Sequence, residues 1–154
     1  MERKKNIFDK IGSLIPGYRG YAERDSRRNC DKLLRNHIAQ EIGKCELSMN
    51  EKIKIEVRNK RLDLLQDLEE CRKKLNTLSD KIRYAPYGES SFFGDVLIKE
   101  DELKKIYQLD HDMLLFVDKF YSEILDLDII NTKMSIDSLN RMLNDRNNFI
   151  KEHK

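Results

Sequence analysis

Apolar residues recur along most of this chain at the three- and four-residue steps of an α-helix, and charged residues fill the positions between them. From about residue 22, one stripe runs through Cys30, Leu34, Ile38, Ile42, Cys45, Met49, Ile53 and Val57. A second follows at Leu64, Leu68, Cys71, Leu75, Leu78 and Ile82, and its steps of 4, 3, 4, 3 and 4 form a heptad seam. A third stripe, through Leu103, Ile106, Tyr107, Met113, Leu114, Val117, Phe120, Tyr121 and Ile124, is widened by Leu109 and Phe116. That width predicts a helix touching two neighbours. In the last stretch Ile136, Leu139, Leu143 and Ile150 line one side, with Thr132 or Ser135 as the expected cap.

The boundaries between these stripes vary in clarity. Gly43 followed by Ser48-x-x-Glu51 offers a helix stop and a capping box, while Asn59-Lys60-Arg61 interrupts the stripe further on. The first turn therefore falls near 43–48 or near 58–61, or a single long helix bridges both. Pro86 lacks an amide donor and disfavours helical geometry at Ala85, so the second stripe should stop near Tyr84. Residues 85–99 read as an ordered crossing loop that packs Phe92 and Phe93 on the helices. The acidic run Glu100-Asp101-Glu102 favours the positive end of a new helix dipole.

Residues 1–20 form a separate amphipathic segment in which Ile7, Phe8, Ile11, Leu14 and Ile15 lie among Arg3, Lys4, Lys5 and Lys10, until Pro16-Gly17 ends the pattern. Such a segment either folds back on the parent domain or lies on an anionic membrane surface. The expected architecture is all-α: residues 21–154 as an antiparallel bundle of three to four long helices with coiled-coil-like packing, preceded by that short amphipathic helix.

Composition sharpens the picture. Only six Gly, two Pro and no Trp interrupt a chain that is 38% charged, a balance that suits long helices and disfavours β or dinucleotide-binding folds. Residues 1–84 carry 21 basic and 14 acidic side chains, and residues 85–154 carry 9 and 14, so a net of +7 faces a net of −5. The two halves are expected to attract one another on packing. Cys30, Cys45 and Cys71 are widely spaced and fall on apolar stripes, which reads as buried thiols in a reducing compartment. With neither a run of about 20 apolar residues nor a signal-peptide core, the expected location is cytoplasmic, with a peripheral place at the inner face of the membrane as the variant.

Candidate chemistry is sparse. Phosphate-cradling loops, nucleophile elbows, zinc-binding helices and calcium loops all have sequence signatures that are missing here. No catalytic residue, cofactor or metal ligand is singled out. Asp110-His111-Asp112 points in several directions on a helix and reads as a solvated face. His37 and Glu41, one turn apart, could share a site with a carboxylate from another helix, which leaves a carboxylate-rich enzyme or metal-binding bundle as an alternative. The basic run Arg24, Arg27, Arg28, Lys32 and Arg35 is interleaved with Glu23, Asp25 and Asp31, which disfavours nucleic acid as a partner.

Two aromatic blocks stand apart. Ile15-Pro16-Gly17-Tyr18-Arg19-Gly20-Tyr21 and Arg83-Tyr84-Ala85-Pro86-Tyr87-Gly88 each set paired tyrosines beside Pro and Gly, giving rigid amphipathic side chains on shaped turns. Together with Arg27-Arg28 and Asp31-Lys32-Leu33-Leu34-Arg35, these blocks resemble a group of uncharacterised bacterial helical proteins. The resemblance implies a bacterial source and the same architecture, assigns no activity, and tilts the first turn toward 58–61. The functional expectation is a non-enzymatic interaction or scaffold bundle that binds a protein partner or itself. Tyr18, Tyr21, Tyr84 and Tyr87 are its candidate contacts. The alternative is a peripheral membrane protein anchored by residues 3–15, with Ile7, Phe8, Ile11, Leu14 and Ile15 facing lipid.

Overall fold

The computed structural model describes residues 10–12, 24–85 and 100–152, with backbone alone described for 24–31, 100, 101 and 103. Four long helices account for nearly all of them: α1 (Arg24–Arg58), α2 (Leu65–Arg83), α3 (Glu100–Glu123) and α4 (Ile129–Glu152). No strand occurs among the described residues. The expected crossing loop lies outside the described residues beyond Ala85.

The first turn is at 59–61. Helix α1 continues through Gly43 and Ser48 because Ile38, Ile42, Cys45 and Met49 keep an unbroken stripe there, and burying it outweighs the local capping signal. Its end is closed by Arg61 N–H donating to the Glu56 carbonyl at 2.9 Å, with Lys60 in the left-handed region at φ 57°. This is the six-to-one closure that ends helices without extending them. The Arg61 Nε to Glu56 Oε2 bridge at 3.0 Å fastens the same turn. A 3-10 turn, Leu62–Leu64, then leads into α2.

At the α3–α4 turn, Asp128 rather than Thr132 or Ser135 is the cap. Its Oδ1 accepts the Asn131 amide at 2.7 Å, whereas Thr132 is buried inside α4 with its hydroxyl donating to the Asp128 carbonyl. From α1, the Lys52 ammonium donates to the carbonyls of Ile124 and Leu127 and holds this turn against the first hairpin.

Consecutive helices run antiparallel, up-down-up-down. The α1–α2 hairpin and the α3–α4 hairpin lie side by side, with α1 against α3 and α2 against α4. Lys52 meets the end of α3, and Lys133 near the start of α4 meets Asp67 near the start of α2, so the facing helices across the two hairpins point the same way. Helix α3 does touch two neighbours, α1 and α4.

The core is one continuous cluster along the predicted stripes. Leu34, Ile38, Ile42, Cys45 and Met49 meet Leu68, Cys71, Leu75, Leu78 and Ile82, and Ile106 through Ile124 close over Ile136, Leu139, Leu143 and Ile150. Of the expected stripe residues, Ile53, Leu64, Leu109 and Phe116 are partly buried, and two are exposed: Val57 at the end of α1 and Tyr121 on α3. Ile11, in the helical residues 10–12, is fully buried in the same cluster.

Candidate functional site

Both hairpin turns lie at one end of the bundle, and apolar surface collects there. Ile55, Val57, Leu62, Leu125, Ile130 and Met134 all keep large exposed fractions, with Leu62 at 62% and Ile130 at 68%. A cavity of about 430 Å³ opens between the turns, lined by Ile55, Leu64, Leu68, Leu125, Leu127 and Ile129, with Lys52, Glu56, Arg61 and Asp128 among its polar residues. The sequence explains why these side chains stay out of the core. They flank turns that must close within a few residues, so the stripes run out before the chain reverses. Burial lowers the affinity of Lys52 for its proton, and Glu56 is the foremost of the charges that oppose that fall. The ammonium is nonetheless matched by two carbonyl oxygens, so Lys52 is a strut between the hairpins.

A second polar cluster sits between α1 and α3. Glu41 is buried and accepts from the Lys44 ammonium at 2.8 Å. Asp118 approaches it from α3, with His37 one turn below, so the carboxylate from another helix expected beside His37 and Glu41 is present. Burial raises the Asp118 carboxyl, the neighbouring Glu41 charge raises it further, and His37 pulls it down. The adjacent Cys45 thiol is pushed up to about 12, by burial first and then by the same two carboxylates. A thiol held protonated in this way is a poor nucleophile. Among the described residues, no group of three or more His, Cys, Asp or Glu is placed to hold a metal ion.

Between α3 and α4 lies a buried ion pair that corrects the expectation for Asp110. Asp110 is fully buried, and Arg146 Nε donates to its Oδ1 at 2.5 Å with both side chains at 0% exposure. Arg146 Nη1 also donates to Asn147 Oδ1 at 3.0 Å. Burial raises the Asp110 carboxyl, and the charges of Arg146 and, from α1, Arg35 pull against that rise. His111 is buried as well, and burial lowers its affinity for a proton. The run Asp110-His111-Asp112 is therefore no solvated face. Only Asp112 points to water, because Asp110 follows Tyr107 by three residues and precedes Leu114 by four, on the buried stripe.

Arg35, read as part of a basic surface, instead donates through Nη1 to the carbonyls of Ala85 at 3.0 Å and Arg83 at 3.3 Å, tying α1 to the end of α2. Of the tyrosine corners, only Tyr84 lies among the described residues. It is 77% exposed just past α2, while Tyr18, Tyr21 and Tyr87 lie outside them. Of the five residues expected to face lipid, Ile7, Phe8, Leu14 and Ile15 lie outside the described residues. Ile11 is in the bundle core, not on a face open to lipid. Among the described residues, no helix is long and apolar enough to cross a membrane.

Comparison of the chain with family models, with curated proteins and with solved structures returns no match.

Proposed function

We infer that this chain is a non-enzymatic interaction module, a helical bundle that works by docking another protein against its turn end. The observation that carries the reading is exposed Ile55 and Leu125 lining the cavity between the two turns, with Val57, Leu62, Ile130 and Met134 exposed at the same end of the bundle. Side chains of this kind gain free energy when a partner removes them from water, at about 25 cal/mol per Å² of apolar surface. Tyr84 at the opposite end is a second candidate contact, amphipathic and largely open. The same reading takes the chain as cytoplasmic, in keeping with free thiols at Cys45 and Cys71.

Ile130→Asp is the variant of choice. Residue 130 is the second residue of α4, where an acidic side chain favours the helix dipole, and its side chain is already mostly in water, so the fold is expected to survive. Affinity capture from the source cell should show a stoichiometric partner, or a second copy of this chain, on the wild type that is lost from Ile130→Asp and from Leu125→Asp. Circular dichroism should be unchanged. An identical set of captured proteins on all three would refute the turn end as the contact.

A further inference from the structure

Helices α2 and α4 make the loosest of the four neighbouring helix pairs among the described residues. Between them runs a groove of about 350 Å³. Its floor is Leu78 and Ile136, and its walls carry Lys73, Lys74 and Lys81 against a single carboxylate, Asp137. The Lys133 to Asp67 bridge at 2.9 Å joins the same two helices nearer their starts. Several other cations on the bundle are engaged: Lys44 with Glu41, Arg61 with Glu56, Arg72 with Glu46 and Glu69. The three groove lysines make no ion pair or hydrogen bond among the described residues. They span eight residues of α2, or about 12 Å at 1.5 Å per residue, two turns of a helix laid alongside.

We propose that the α2–α4 groove receives an acidic amphipathic helix of a partner protein, which docks as a fifth helix with carboxylates on Lys73, Lys74 and Lys81 and small apolar side chains over Leu78 and Ile136. An amphipathic helix in a groove reads anchors at one- and two-turn spacing, and Lys74 and Lys81 stand two turns apart, with Lys73 beside Lys74. A nucleic acid fits less well. Asp137 stands inside the groove, and Glu70 and Asp80 lie close to the lysines in the α2 sequence; a continuous polyanion tolerates such carboxylates poorly, whereas a helix can place its charges discretely. The inference rests on the reading of the chain as a protein-binding bundle but uses a different surface from the turn end.

The test uses the full chain and a labelled, capped peptide of about 18 residues, designed as a helix with Glu at one- and two-turn spacing beside an Ala/Leu stripe, together with its Lys counterpart. Fluorescence anisotropy should show binding of the Glu peptide that weakens with added salt, and little binding of the Lys peptide. In Lys74→Glu/Lys81→Glu the preference should reverse, with the Glu peptide weakened roughly tenfold or more, as expected when like charges replace attractive ones. Lys74→Gln/Lys81→Gln should weaken the Glu peptide without gaining the Lys peptide, which separates charge from folding. Equal binding of both peptides, no binding of the Glu peptide, or retention of the wild-type preference in the charge-reversed variant would each overturn the proposal. So would a single-stranded oligonucleotide that binds more tightly than the Glu peptide and is lost in the same variant. Ile130→Asp should leave the Glu peptide's affinity unchanged. A failure confined to the groove therefore leaves the turn-end reading standing, and the reverse also holds.

Discussion

Replacing Asp110 by Asn keeps the shape of the side chain and removes the buried charge that the Arg146 guanidinium bonds in the core. Breaking a buried ion pair from one side costs about 3–5 kcal/mol, because the remaining charge keeps its desolvation penalty and loses the attraction that offset it. For a domain of this size each kcal/mol shifts Tm by about 2–4 °C, so the loss should be roughly 6–20 °C. The double replacement Asp110→Leu/Arg146→Met removes both charges and fills the space with apolar atoms. Such exchanges are often neutral or stabilising by about 1–4 kcal/mol, so the double variant should be more stable than the single one. Urea unfolding followed by circular dichroism compares wild type, Asp110→Asn, Asp110→Leu, Arg146→Met and the double variant, and the last three with wild type complete the cycle. A single variant within about 1 kcal/mol of wild type would refute the reasoning. So would a double variant less stable than Asp110→Asn.

Gly43→Ala should stabilise the protein by about 0.8–1 kcal/mol, since the residue lies inside α1 and glycine is disfavoured there relative to alanine. A Cβ at this position meets nothing within 4 Å, and thermal unfolding reads the gain directly. Burial, aided by the charge of Lys10 and opposed by Asp112, lowers the affinity of His111 for a proton relative to the unfolded chain. Its contribution to stability is therefore fully present above the ordinary value of 6.5 and is lost as pH falls below it, when the unfolded state takes up the proton first. Stability measured against pH should fall more steeply between neutrality and pH 5 in wild type than in His111→Gln. Cys45 and Cys71, both buried, should react with a thiol reagent only as fast as the bundle opens, which mass mapping in native and unfolding conditions can establish.

How far the fold could be read from the chain depended on whether a residue's neighbours in sequence were also its neighbours in space. The heptad seam of α2 matches its buried face at Leu68, Cys71, Leu75, Leu78 and Ile82, though it does not include the buried Ser79, because the seam needs only a helix and something apolar to meet. The first turn was ambiguous because Gly43 and Ser48 carry local signals as strong as those of Asn59-Lys60-Arg61. Burial of Cys45 and Met49 in the shared core, invisible in a local window, decides between them. Asp110 and Arg146 show a different limit. Each occupies a slot on an apolar stripe, Asp110 between Tyr107 and Leu114, Arg146 between Leu143 and Ile150. A lone charge in such a slot reads as a solvated face, whereas two opposite charges on two stripes suggest a buried pair. That complementarity is the signal the sequence carries for the pair. The apolar turn end was legible only in part, since exposure of Leu125 and Ile130 depends on where the helices stop, and Asp128 as the cap of α4 was overlooked in favour of Thr132 and Ser135.

The central claim is that the end of the bundle holding both turns is where a partner docks. Hydrogen exchange measured on the chain alone and with its captured partner tests this most directly. The account predicts slowed exchange in residues 55–64 and 124–134 in the complex, with the outward face of α3 unchanged. Unaltered exchange at both turns, with protection appearing elsewhere, would contradict it.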